Sequence, residues 1–126
     1  MLLLRRGPFP QELCVEGGDR VGEKAVAHYS LEVIQASAVE GGIVLTSRVQ
    51  RYLSRRGYAT DVPVRMLALL EPRYLHKSQP HQTREGVWLD IYRPYIEGRR
   101  WYLKLALHED GSRFVVLSCC LDGEAH

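Results

Sequence analysis

Two neighbouring stretches decide the fold: Gly86-Val87-Trp88-Leu89-Asp90-Ile91-Tyr92-Arg93-Pro94-Tyr95 and Arg100-Trp101-Tyr102-Leu103-Lys104-Leu105-Ala106-Leu107-His108. In the first, Val87, Leu89 and Ile91 alternate with Trp88, Asp90 and Tyr92. In the second, Trp101, Leu103, Leu105 and Leu107 alternate with Tyr102, Lys104, Ala106 and His108. A period of two is the signature of strands, and Glu97-Gly98 supplies the turn between them. A third apolar run, Phe114 to Cys119, follows Asp110-Gly111, a strong hairpin step. The C-terminal half therefore reads as an antiparallel sheet.

Upstream the period changes. Ser30 is a good N-cap for a helix over Leu31 to Glu40, with Leu31, Ile34 and Ala38 on one face and Gly41-Gly42 as the stop. Ile43 to Leu45 is an apolar stub. Thr46 or Ser47 then caps a second helix ending at Gly57, its apolar face made by Val49, Tyr52 and Leu53. Arg48, Arg51 and Arg55 lie on the opposite face, which is either solvated or phosphate-facing. Asp61 caps a third helix with Pro63 in its first turn, and Glu71-Pro72 terminates it. Three short helices before an antiparallel sheet make an α+β domain.

Size and composition agree with one ordinary core. The chain has 126 residues, 45% hydrophobic and 25% charged, close to the soluble globular average. Residues 1–24 mix Pro8, Pro10, Gly17, Gly18 and Gly22 with scattered charges and read as an extended or disordered leader, leaving 25–126 as the domain. No apolar run approaches the ~20 residues that cross a bilayer, and Met1-Leu2-Leu3-Leu4 runs straight into Arg5-Arg6, so a cytoplasmic protein is expected. Cys14, Cys119 and Cys120 are odd in number and lack a C-x-x-C spacing. Neither a disulfide framework, a metal site nor a cofactor is expected. Strand alternation would bury one of Cys119 and Cys120 and expose the other.

The net charge of +2 hides an uneven distribution. Ser47 to Lys104 holds 12 Lys/Arg against 5 Asp/Glu, a balance of +7, and the remainder holds 5 against 10, a balance of −5. The basic middle is where a polyanion would bind, although a solvated surface is the plainer reading. Tyr102 and Lys104 share a strand face, which puts a phenol beside a cation. Arg93, held rigid by Pro94, could clamp a phosphate or pair with Asp90 or Glu97. The spacings of His28, His76, His81 and His108 match no metal motif. Ser78 near His76 lacks a nucleophile elbow and is expected to bond the backbone or a phosphate. Trp88 and Trp101 read as core or partial core.

His76-Lys77-Ser78, then Trp88-Leu89-Asp90-Ile91-Tyr92-Arg93-Pro94, then Tyr102-Leu103-Lys104, taken together, resemble the MqsR toxin family. The family pattern runs close to Tyr/His-Lys-Ser-Met, Trp-Gln-Asp-Val-Tyr-Arg-Pro, Tyr-Val/Leu-Lys and a closing Ser-Phe-Lys, and the spacing matches without gaps from His28 to Ser118. The resemblance implies a RelE-like fold. It also implies a metal-independent endoribonuclease that cuts single-stranded or ribosome-associated mRNA, inhibits translation and is neutralised by a cognate antitoxin. It places the family's catalytic lysine on Lys77 and its catalytic tyrosine on Tyr102. RNA or phosphate contacts are expected from Arg93, Lys104, His28, His76, Gln79 and Arg51, with His76 also a candidate base. Three positions depart from the pattern: Leu89 stands where the family has a glutamine, Cys120 where it has a late lysine, and Gln79 where a methionine follows Lys-Ser. An alternative is a weakened relative that binds antitoxin or RNA without efficient cleavage.

Overall fold

A computed structural model describes residues 22–124. Three helices precede most of a six-stranded sheet: α1 (Leu31–Val39), β1 (Ile43–Leu45), α2 (Ser47–Arg55), α3 (Val62–Ala68), β2 (Leu75–Pro80), β3 (Trp88–Tyr92), β4 (Tyr95–Ile96), β5 (Arg99–Leu107) and β6 (Phe114–Leu121). A single 3-10 turn, Pro72–Tyr74, leads into β2. Residues 1–21, most of the expected leader, lie outside the described residues.

The helices start where their caps predict. The Ser30 side chain accepts from the Val33 N–H and Thr46 from the Val49 N–H, each satisfying a donor that the first turn leaves free. Asp61 sits at the N-cap of α3 but makes no side-chain cap bond. Its carboxylate pairs instead with Arg65, one turn on. The β4–β5 turn is built on Glu97 (φ 54°) and Gly98 (φ 81°), and two consecutive left-handed residues match the twist of a tight hairpin.

The C-terminal strands pair antiparallel, as the alternation predicts, and the sheet gains one further strand from the N-terminal half. The strand order is β1-β6-β5-β3-β2, with β4 paired to the start of β5, and β1 runs parallel to β6. The apolar stub Ile43 to Leu45 is thus an edge strand, too short to carry a periodic signal. It covers only Phe114 to Val116 of β6. Helix α2 closes the rest of that edge, where the Tyr52 hydroxyl accepts from the backbone N–H of Leu121 and donates to Glu124. Burial and the acceptor Glu124 push the Tyr52 hydroxyl up to about 12.

One core fills the space between the helices and one face of the sheet. Ile34, Val49, Leu53 and Leu67 from the helices meet Tyr92, Leu103, Leu105, Phe114, Val116 and Cys119 from the strands, all nearly inaccessible to solvent. Trp101 joins this core, while Trp88 is only half buried. The expectation for the cysteines fails: Cys119 and Cys120 are both buried. Cys119 faces the core, and Cys120 is paired with Tyr102 on β5, with its thiol donating to the carbonyl of Glu124. Burial drives the Cys119 thiol up to about 12 and raises that of Cys120, so both stay protonated at neutral pH. No helix among the described residues is long and apolar enough to cross a membrane.

Candidate nucleic-acid interface and active site

Register decides which side chains meet. Lys77 is opposite Ile91, Ile91 opposite Lys104, and Lys104 opposite Ser118, so one row crosses four strands on the face away from the helix core. On the same face, Gln79 opposite Leu89 lies to one side of this row, and Tyr102 opposite Cys120 lies to the other. Neighbouring strands lie about 4.8 Å apart, so the Lys77 and Lys104 backbones are separated by about 10 Å, within the reach of two long side chains around one phosphate. Ile91 and Leu89 are buried although they belong to this face. They form its apolar floor between the stems of the polar residues.

The floor opens into a groove of about 370 Å³ lined by Thr46, Arg48, Arg51, His81, Leu89, Lys104 and Ser118. Arg48 and Arg51 come from the first turns of α2, which the β6 edge contact brings alongside the sheet. Two residues before Tyr102, Arg100 begins a second hollow of about 270 Å³ shared with Arg73, Tyr74, His76 and Arg93. The Arg93 guanidinium pairs with Asp122, and its carbonyl accepts from Arg100. It does not meet either carboxylate expected from sequence, because Asp90 points to the other face.

Tyr102 is half buried, and its hydroxyl is pushed above the usual phenol range, first by burial, then by the neighbouring Cys120 thiol as it ionises at high pH, and by the Asp122 carboxylate. It is therefore protonated across the neutral range, a proton donor rather than an acceptor. Lys77 is also half buried, and its ammonium lies 2.8 Å from a Glu23 carboxylate oxygen. Glu23 is held there by its neighbour: the Lys24 N–H donates to the Ser78 carbonyl at 2.8 Å, and the Ser78 N–H donates to the Lys24 carbonyl at 2.9 Å. Successive residues of this strap point to opposite faces, so Glu23 meets Lys77 while the Lys24 ammonium lies over the Trp88 ring, 4.1 Å from its centre.

The opposite face explains His28. Ser78, Trp88 and Asp90 are in phase with one another and out of phase with Lys77. The His28 ring stacks on Trp88 at 5.0 Å, so it lies on that side rather than beside Lys77. Asp90, fully buried, anchors the strap by accepting from the backbone N–H groups of His28 and Tyr29 at about 3 Å and from the Ser78 hydroxyl at 2.6 Å. Burial raises the Asp90 carboxyl above its ordinary range despite these donors. Ser78 is committed to this anchor.

The structure thus gathers Lys77, Gln79, Tyr102 and Lys104 on one face and puts Arg51 on the rim of its groove. Arg93 and His76 lie in the neighbouring hollow, and His28 is elsewhere. Sequence reasoning missed Glu23 and Asp90. Nothing local marks Glu23, but Asp90 stands in an otherwise apolar strand, a signal that it must be bonded inside. Among the described residues no three His, Cys, Asp or Glu side chains converge as a metal-binding group.

Fold and face together define a small α+β protein whose exposed sheet surface is cationic and carries a protonated phenol. Residues 26–118 match the family model described as motility quorum-sensing regulator, toxin of MqsA, and the chain belongs to this family of MqsR toxins. It is accordingly a toxin of a toxin–antitoxin system, with an antitoxin as its implied partner. No curated protein matches the chain.

Proposed function

We propose that the chain is a metal-independent endoribonuclease that cleaves single-stranded or ribosome-associated mRNA in the cytoplasm, inhibits translation and is held in check by its antitoxin. The observation that carries this reading is the convergence of Lys77, Lys104 and Tyr102 on one sheet face beside a groove rimmed by Arg48 and Arg51. Cleavage next to a 2′-hydroxyl needs positive charge at the phosphorane and a proton for the departing 5′-oxygen. Lys77 and Lys104 supply the charge. Tyr102, kept protonated by burial, supplies the proton. Gln79, beside Lys77 on β2, is placed to bond a base or sugar, and Arg51 to hold a flanking phosphate. Arg93 and His76 continue the cationic surface past Tyr102.

The test is incubation of purified protein with an RNA oligonucleotide, with and without EDTA, beside Lys77→Ala. The Lys77–Glu23 pair stays partly open to solvent at the edge of the sheet and no core side chain is altered, so the variant should fold, which circular dichroism checks. It should lose cleavage and growth inhibition. Wild-type toxicity in the folded variant would remove Lys77 from the site.

A second reading, a relative that binds antitoxin or RNA without efficient cleavage, is favoured by one observation. Leu89 is buried on the floor of the groove and offers no hydrogen bond there.

A further inference from the structure

We infer that Glu23 is the general base of this site, an inference that rests on the ribonuclease reading above. The reaction needs a group to take the proton from the attacking 2′-hydroxyl. Lys77, Lys104, Arg48 and Arg51 are cations, the Tyr102 phenol holds its proton, His81 on the groove wall already accepts from the Thr83 and Arg84 N–H groups through Nδ1, and His76 lies in the neighbouring hollow. Position 89, on the floor, is aliphatic. Glu23 places a proton acceptor on Lys77 itself, 2.8 Å from the ammonium.

Geometry favours transfer from a bound sugar. An ammonium directs its three N–H bonds at tetrahedral angles, so a phosphate oxygen and the Glu23 oxygen bonded to the same nitrogen lie about 4.5 Å apart. A 2′-oxygen poised for attack is about 3–3.5 Å from phosphorus. It can therefore sit within hydrogen-bond reach of the carboxylate while Lys77 holds the phosphate. The carboxylate is fixed rather than free to drift, because the paired backbone bonds of Lys24 with Ser78 and the grip of Asp90 on residues 28 and 29 hold the strap at both ends.

The step balances. Glu23 takes the 2′-hydroxyl proton, the 2′-oxygen forms a bond to phosphorus, and the bond from phosphorus to the 5′-oxygen breaks. Tyr102 protonates that oxygen, leaving a 2′,3′-cyclic phosphate and a free 5′-hydroxyl. Proton exchange with water resets the carboxylic acid and the phenolate.

The experiment compares the full chain with Glu23→Gln on an RNA oligonucleotide, and measures binding of both to the same oligonucleotide carrying 2′-O-methyl groups. Glutamine preserves the bond to Lys77 but accepts no proton. General acid–base catalysis is worth about 10²–10⁴ in rate, so Glu23→Gln should lose at least about a hundredfold in kcat. Its affinity for the methylated strand should be equal or tighter, because a negative charge is gone. Circular dichroism checks the fold, and Glu23→Asp, which keeps the proton acceptor, should retain more activity than Glu23→Gln. A folded Glu23→Gln that cleaves as fast as wild type, or faster, overturns the base and leaves the ribonuclease reading standing. Loss of rate matched by equal loss of binding overturns it too. A wild-type chain that generates no cyclic phosphate overturns the ribonuclease reading and Glu23 with it.

Discussion

Replacing Asp90 by alanine should be among the most damaging single changes in the described residues that touch no proposed substrate contact. The carboxylate is fully buried and accepts from two backbone N–H groups and one hydroxyl. Each donor left without a partner in the interior costs about 1–3 kcal/mol, and the rims of the strap can recover some water, so the expected loss is about 3–5 kcal/mol. That is a large part of the stability of a domain this size. For roughly 100 residues it lowers Tm by more than about 10 °C. Asp90→Asn keeps the shape, one accepting oxygen and a group able to meet the Ser78 hydroxyl, and should lose about 1 kcal/mol or less. The pH dependence has a definite sign. Because burial raises the folded-state pKa of Asp90 above its unfolded value, its contribution is fully present below about pH 4 and declines as pH rises through the folded value. The stability advantage of wild type over Asp90→Asn should therefore shrink as pH is raised from 4. Urea denaturation of the three proteins across that range measures both effects. An Asp90→Ala protein within 1 kcal/mol of wild type would refute the view that this carboxylate anchors the strap.

Tyr102→Phe keeps a half-buried ring and removes only the hydroxyl, so Tm should hardly move while the cleavage rate falls about tenfold or more; equal rates would make the ring a packing residue. Leu89→Gln puts an amide on the floor of a groove that also holds Lys104 and Ser118. One donor aimed at developing charge is worth up to about 10²–10³ in rate, so cleavage should speed up, and a lower Tm with no gain would mean that the floor must stay dry. Arg51→Glu should weaken binding to single-stranded RNA and reduce the salt dependence by about 0.7 per lost phosphate contact; an unchanged slope, followed by fluorescence anisotropy, would assign the rim of α2 to solvent or to the antitoxin.

Much of this architecture was legible because its signals are local. Ser30 and Thr46 cap the helices as their positions require, and the alternation in β5 puts Tyr102 and Lys104 on one face, whereas Lys77 joins them in sequence only through the family resemblance. What escaped is long-range. His-Lys-Ser-Gln-Pro has no apolar alternation, yet it is the edge strand β2, held by β3 on one side and by the Lys24 bridge on the other. The parallel pairing of Ile43 to Leu45 with Phe114 to Val116 spans about seventy residues of sequence. Glu23 looked like part of a featureless leader because its meaning depends on Lys77, 54 positions away. Both cysteines are buried because Cys120 lies against Tyr102 on the outer face, and single-strand alternation does not reveal how far that face is covered.

The strap that brings Glu23 to Lys77 also sets an order of events in time. It joins contacts 54 to 62 residues apart, whereas the β5–β6 hairpin and the three helices close over short distances. Closing a long loop costs entropy before any contact repays it, so the local pieces form first and the strap docks late. During synthesis residues 22–29 emerge ahead of every strand they need, and wait until β2 and β3 have followed. A nascent chain would thus carry its cationic face before it owns a complete site, and cleavage activity in refolding should appear with the slowest phase, after most of the helical signal has returned.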